Sequence, residues 1–495
     1  MTARGDRIDV VADVRVAGPG GLGAAEVVDV HLGDGRVLDV APAGALPRRG
    51  LVLDAGGGWL VPGLWDHHVH VLQWALVTQR EPLGAAESAA EAAAIMGRAA
   101  VLGDGRRVGT GFRDALWPDT PSLDLLDRQT GDVPTYLINA DVHSVWLNSA
   151  ALRREGMRST NGLLRETPAF EVSRRLNLVD ALTGDALVAQ MAHEAAARGV
   201  VGIVDLDMAW NAESWRRRLA AGFDALRVEF GIYPDLLDRA VDEGLRSGQT
   251  LDGTDGDLVH VGPLKVITDG SLGTRTAACS HPYPGDPHDL GMLTVDPADL
   301  TAWMTRAAGA GIECAIHAIG DVANAHALDA FAASGAWGRI EHAQLIAHAD
   351  IPRFARLGVA ASIQPEHAVD DRDLTDRLWR FQTALAYPLR SLVDAGATVL
   401  FGSDAPVSPL DPWAAIAAAV HRTRDGREPW HPEETVDVLT ALTASSHRGA
   451  SAAIEPGATA DLVLCGSDPF GATEAGLRSM AVSATLLGGR VTHAG

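Results

Sequence analysis

The sequence predicts an α/β protein: a TIM-like (β/α)8 barrel with one small β domain from both termini and an inserted lid subdomain after the first barrel strand. Three observations carry this expectation. Eight short apolar runs alternate with helical stretches through the middle of the 495-residue chain. The two ends share a texture of brief alternating runs broken by glycine and proline. Between the first apolar run and the second lie about 115 residues, far more than the roughly 2–6 of an ordinary βα connection.

Taken in order, residues 8–60 contain "EVVDVHLGDGRVLDVAP" and "GLVLDAGGGWLV", which read as small antiparallel strands. "GATADLVLCGSD" and "VSATLLGGRVTH" repeat the pattern near the other end. Residues 1–60 and 447–495 are therefore expected to pair into one small β domain, and 61–446 to form the barrel. The first barrel strand lies in "VPGLWDHHVH", residues 61–70, and the insertion at 75–185 leaves from its far end. It should fold over the barrel mouth. Within it, "AAESAAEAAAIMGRAAVL" should be helical, and "PTYLINADVHSVWLNSAAL" reads as a strand leading into a helix. His143 and Trp146 are then candidate substrate contacts, with capping or core residues of the insertion as the alternative. The remaining strands are "GVVGIVDLD", "ALRVEFGIY", "LVHVGPLKVITD", "GIECAIHA", "GRIEHAQ", "GVAASIQP" and "ATVLFGSD", which completes eight.

Chemistry sits at the carboxyl ends of barrel strands, and polar residues gather there. The chain has 41 basic side chains, of which only Lys265 is lysine. A guanidinium stays protonated in a protein, whereas a buried ε-amine deprotonates readily, and only the neutral amine can act as a nucleophile or capture carbon dioxide as a carbamate. Lys265 is expected to do chemistry that arginine cannot. His68 and His70, two apart on a strand, face the same way and can reach one ion; Asp66 shares that face as support, and His67 turns away. His317, His342 and Asp404 lie at the ends of further strands. Each taken singly is also what a hydrogen-bonded strand terminus looks like, but together they suggest a ligand set. Arg275, Gln364 and His367 lie beyond strand ends at the mouth, as candidate substrate contacts; a salt bridge anchoring its loop is the alternative for Arg275.

Composition narrows the partners. A net charge of −23 and the absence of a basic stripe argue against nucleic acid. The first residues lack the pattern of a signal peptide and no run has the length of a membrane span, so no membrane partner and a cytoplasmic location are expected. Cys279, Cys314 and Cys465 are odd in number and widely spaced, as buried free thiols would be.

The phrases "PGLWDHHVH", "ADVHSVWLNSAAL", "LKVITDGSLGTRTA", "IHAIGDVANAHALDA", "RIEHAQLI", "SIQPEHAVDD", "GSDAPVSPLDPW" and "EPGATADLVL" together resemble the amidohydrolase superfamily, and within it the family 3 branch that includes N-substituted formamide deformylases. The resemblance implies that the terminal β domain, 1–60 with 447–495, is a composite β-sandwich beside the barrel, and it implies two divalent transition metals, zinc best suited: His68, His70 and Asp404 on one, His317 and His342 on the other, and carboxylated Lys265 bridging them. It also implies hydrolysis of a non-peptide C–N bond in a small molecule, such as an N-formyl or N-acyl amine, by a metal-bridging hydroxide, with Asp404 as the proton carrier. Two departures from the branch's pattern stand out: Val142 replaces a usual glycine, and His67 a small or polar residue. Cyclic amide hydrolysis stays compatible with the ligands. Mononuclear deamination is disfavoured, because Gly320 stands where such enzymes carry glutamate. A metal-free binding protein on the same scaffold would show lost ligands, and none is lost. Barrels of this kind often form homodimers.

Overall fold

In the computed structural model, residues 3–16, 26–77, 79–177, 179–251 and 257–495 are described. Eight parallel strands pair in sequence order: β1 (Leu64–Val69), β2 (Val200–Asp205), β3 (Arg227–Ile232), β4 (Val259–Ile267), β5 (Cys314–Ala318), β6 (Gly338–His342), β7 (Ala360–Ile363) and β8 (Val399–Phe401). β1, β2 and β5 are buried at every position, as expected of strands covered on both faces. The ends of the sheet meet at Val69 and Ala405, where a parallel bridge joins the residues that follow β8 to β1. Two hydrogen bonds hold this seam: Asp404 N–H donates to the His68 carbonyl at 2.8 Å, and His70 N–H donates to the Ala405 carbonyl at 2.9 Å. The expected barrel is present, and its closing seam lies among the proposed ligands.

The termini build a second unit. Val10–Val16, Val28–Gly33 and Arg36–Pro42 pair antiparallel, Val52–Asp54 lies beside the first of them, and Trp59–Pro62 pairs antiparallel with Leu462–Cys465, which continues through Val482–Leu487 to Arg490–Ala494. Apolar side chains from both ends of the chain, including Val11, Val30, Leu60, Leu462 and Leu486, share one core. The join is therefore a packed one.

The insertion folds around a five-stranded sheet: Glu81–Pro82, Arg107–Phe112, Thr135–Asn139, Ser144–Leu147 and Leu163–Arg165. Its alanine-rich helix is Ala89–Arg98, started by Ser88, whose hydroxyl accepts the Glu91 N–H. The segment expected as one strand before a helix is instead a hairpin, Thr135–Asn139 against Ser144–Leu147, followed by the helix Ser149–Glu155. The turn between the strands places Val142 at φ 56°, a left-handed conformation that a β-branched residue adopts only under strain. Glycine there would relieve it.

The three cysteines are buried and free, and burial pushes their thiols up to about 12. Among the described residues no helix is long and apolar enough to cross a membrane.

Candidate metal centre

Strand pleating sets the first candidate ligands. Asp66 and His68 turn toward Ser403 and Asp404, while Trp65 and His67 turn away from them, toward His447 and Arg448. The Trp65 ring stacks 4.2 Å from His447, and His67 is fixed by the Phe401 carbonyl at 2.9 Å and by the Arg448 N–H, which donates to its Nε2 at 3.2 Å. Asp66 accepts the N–H groups of His68 and Ser403, at 3.1 and 2.9 Å, and so clamps the start of the seam. Burial raises its carboxyl to about 7 against the pull of those bonds.

The six residues proposed as ligands come together. His68 Nε2 lies 3.4 Å from Lys265 Nζ and 3.4 Å from Asp404 Oδ1, and His70 Nε2 lies 3.3 Å from the same oxygen. The His342 ring is centred 4.9 Å from that of His68 and 4.5 Å from that of His317. Ligand atoms of His68, His342 and Asp404 all fall within 4.8 Å of one another. His342 Nδ1 and His70 Nδ1 are buried with no hydrogen-bond partner among the described residues, and His317 Nε2, equally buried, makes no hydrogen bond, with the Asp269 carboxylate 3.4 Å away. Buried polar atoms are normally satisfied, and imidazole nitrogens left in this way beside a carboxylate and an amine are a donor set suited to a divalent transition metal.

Electrostatics agree with that use. Burial brings Lys265 down to about 8, within reach of the neutral amine, although Glu341 and Asp404 oppose the shift. Burial alone would raise the Asp404 carboxyl, but the imidazoles of His68 and His70 outweigh it and hold the group well below the usual carboxylate range. His317 and His342 are buried, and so their rings are held neutral. Neutral imidazole is the form that binds metal.

Glu341 escaped the sequence reading. Its carboxylate lies 2.9 Å from His68 Nδ1 and accepts from Arg339 Nε at 2.6 Å. With Nδ1 donating to Glu341, the His68 Nε2 lone pair is left facing Lys265 and Asp404. Two charged residues within the apolar strand "GRIEHAQ" were the available signal. Alternation hid the rest, because Glu341 and His342 are consecutive and should point opposite ways. His342 has φ 72° and Ala343 φ 47°, and this left-handed turn brings both side chains to the site. Asp269 was missed too; it accepts the N–H groups of Ala278, Ile319 and Gly320 and so shapes the loops after β4 and β5.

Beside the ligands opens a cavity of about 640 Å³ including its mouth, which reaches from His342 and Asp404 to the insertion. His143 lines it, with its ring centred 5.5 Å from that of His317. Burial would lower the His143 pKa, but Glu166, 2.9 Å from Nδ1, raises it to about 9, so the ring is an imidazolium at neutral pH. His367 lines the cavity as well. Gln364 does not; it is buried beneath the ligands, with Nε2 3.5 Å from His68 Nδ1. Arg275 lies outside the cavity, at φ 59° in a loop along a neighbouring surface depression. Trp146 is a correction: it is fully buried in the insertion's core with Leu83, Phe112 and Leu137, and does not touch the cavity. On its strand the indole points into the insertion's own core, so the ring serves packing.

Comparison with known proteins places this arrangement. Residues 51–493 match the family described as "Amidohydrolase family". The chain is 27% identical to "Protein LONG AFTER FAR-RED 3" of Arabidopsis thaliana, over 92% of its own length and 87% of that protein. It is 25% identical to N-substituted formamide deformylase of Arthrobacter pascens, covering 90% of each. Among solved structures, an uncharacterized metal-dependent hydrolase from Pyrococcus horikoshii OT3 superposes with a TM-score of 0.77 at 23% identity, over 94% of this chain and 99% of that one.

Proposed function

The chain belongs to the amidohydrolase family, and from that premise we propose that it is a metal-dependent hydrolase of a non-peptide C–N bond in a small molecule, an N-formyl or N-acyl amine. His68, His70 and Asp404 would hold one divalent ion, His317 and His342 a second, and carboxylated Lys265 would lie between them; zinc suits these donors best. When bound, such ions acidify water and polarise a carbonyl oxygen. The chain's own residues supply the rest. Glu341 fixes the ring of His68. Asp404, kept ionised by its neighbouring imidazoles, takes the proton of the attacking water and returns it to the leaving nitrogen. His143, charged and oriented by Glu166, offers its remaining N–H to the oxyanion that develops on the carbonyl.

One observation carries the reading: the chain's single lysine is 1% exposed and lies 3.4 Å from a histidine that itself lies 3.4 Å from Asp404. Burial disfavours an ammonium there even with Glu341 and Asp404 nearby, and a carbamate among metal ligands accounts for the placement. The test is elemental analysis of the purified protein with Lys265→Ala and Lys265→Arg alongside, together with hydrolysis of a panel of N-formyl and N-acyl amines. Near two metals per chain, falling in both variants with loss of hydrolysis, is the expected result. Full metal content and activity in Lys265→Arg would sink the carbamate.

A further inference from the structure

The wall of the cavity facing the metal ligands is unusually acidic. Asp114, Asp141, Asp370 and Asp371 line it with a single arginine, Arg113. That arginine is committed: its guanidinium lies 3.3 Å from Asp370 and 3.6 Å from Asp371. Arg424 also pairs with Asp370, and the Tyr387 hydroxyl donates to Asp371 at 3.0 Å. Asp114 and Asp141 have no ion-pair partner among the described residues. Asp114 accepts the Asn139 amide at 3.0 Å, and Asp141 accepts the Ser271 hydroxyl at 2.6 Å and the His143 N–H at 3.0 Å, all neutral donors.

The pair is held in place. Asn139 ties the two together, because its carbonyl oxygen accepts the Asp141 N–H at 3.2 Å while its amide serves Asp114. Gly273 lies so close that a Cβ there would come within 2.7 Å of the Asp141 carboxylate. Burial, with Asp141 beside it, raises the Asp114 carboxyl, and Arg165 only partly opposes that.

A second observation is independent of the acids. His367 is 6% exposed and lines the same cavity, and its Nε2 has no partner among the described residues. Its Nδ1 faces the Gln344 amide at 3.4 Å, an interaction that leaves the proton on Nε2. The cavity thus offers an unpartnered imidazole nitrogen and two carboxylates that make no ion pair, with the His143 imidazolium, itself paired with Glu166, and Arg165 acting on them only at longer range. Its complement is a molecule with an acceptor near one end and a cation at the other.

We propose that the substrate carries a protonated amine or a guanidinium distal to the scissile amide, received by Asp114 and Asp141: an N-acylated diamine or a similar basic amide. The assignment rests on the hydrolase reading above for the amide and on the cavity alone for the cation. Charge-assisted contacts of this kind, away from bulk water, favour the cation by about tenfold or more over a neutral isostere.

Two measurements on the metal-loaded protein separate the parts. The first compares kcat/KM for mono-N-formyl- and mono-N-acetyl-1,4-diaminobutane with that for the N-formyl and N-acetyl derivatives of pentylamine, in which a methyl replaces the ammonium. The second is calorimetric binding of n-butylguanidinium, a cation that does not ligate metal, against neutral n-butylurea. We expect at least a tenfold preference for the cation in both, with Asp114→Asn and Asp141→Asn each cutting that preference by about tenfold. Equal kcat/KM for the charged and neutral amides, or an unchanged preference in both variants, overturns the cation site and leaves hydrolysis standing. No hydrolysis of any amide, with guanidinium binding that both variants lose, keeps the cation site and overturns the reaction. Guanidinium binding no tighter than that of the urea overturns the proposal, and this comparison needs no variant to fold.

Discussion

Replacing Glu341 with glutamine tests how the proposed ligands are held. Glu341 is fully buried, with one oxygen 2.9 Å from His68 Nδ1 and the other accepting from Arg339 at 2.6 Å. Glutamine keeps the shape and removes the charge, so two losses follow. Arg339, 2% exposed, is left with Glu313 at 3.5 Å as its only remaining ion-pair partner among the described residues. Removing one member of a buried pair costs about 3–5 kcal/mol, because the surviving charge stays buried. The imidazole also loses the anion that orients it, and groups that support a ligand in this way contribute about 10–100-fold to metal affinity. The two losses are separable. In the double variant Glu341→Gln with Arg339→Met the stranded guanidinium is gone, so stability in chemical denaturation should largely return while metal affinity, read by competition with a chelator, stays low. Metal affinity in Glu341→Gln within twofold of wild type would refute the claim that this carboxylate sets the His68 ring.

Three further outcomes follow from the structure. A Cβ at Gly402 would stand 2.8 Å from His68 Cβ and 2.9 Å from His68 N, so Gly402→Ala should push the β1 and β8 ends apart, cost about 1–3 kcal/mol in stability and weaken metal retention on dialysis. Trp146→Ala should destabilise the insertion by about 3–5 kcal/mol and expose it to limited proteolysis, whereas Trp146→Phe should leave kcat and KM close to wild type; a raised KM in the phenylalanine variant would restore a substrate contact. Asp29 in the sandwich is pulled down to about 2: burial would raise it, but Arg48 and the N–H groups of Gly44 and Asp13 more than compensate. A depressed carboxyl stabilises the fold above its ordinary pKa and loses that contribution as pH falls. Asp29→Asn should therefore be less stable by a constant amount from pH 7 to pH 5, with the gap narrowing only below about pH 4 in pH-dependent denaturation.

The barrel was legible because its strands are buried on both faces and end in polar groups, a contrast that needs no tertiary knowledge. Lys265 was legible for a compositional reason, since arginine has replaced lysine everywhere else. What alternation predicted, it predicted well: His68 faces the site and His67 faces away. Alternation failed where the backbone leaves the pleat. Nothing local in "RIEHAQ" announces φ 72° at His342, so the adjacent glutamate could not be read as a partner of a histidine 273 positions away. Trp146 failed differently. It lies on the second strand of a hairpin where the chain was expected to lead from one strand into a helix, and on this strand the indole turns inward to the insertion's own core.

The left-handed residues also explain why ligand placement and barrel closure are one event. His342 and Asp404 both have positive φ without being glycine, a conformation that costs on the order of 1–3 kcal/mol at each position and persists only where the surroundings fix it. For Asp404 the fixing contacts are those of the seam: its own N–H reaches back to the His68 carbonyl, the Ala405 carbonyl takes the His70 N–H, and Asp66 accepts from both His68 and Ser403. The bonds made by the Asp404, His70 and Ser403 N–H groups tie the first strand to the chain leaving the last, and each involves a proposed ligand or its neighbour. An ion shared by His68, His70 and Asp404 would span the same seam from the inside. The strained turn at Asp404 is therefore stabilised by closing the barrel, and metal binding there would in turn resist its opening.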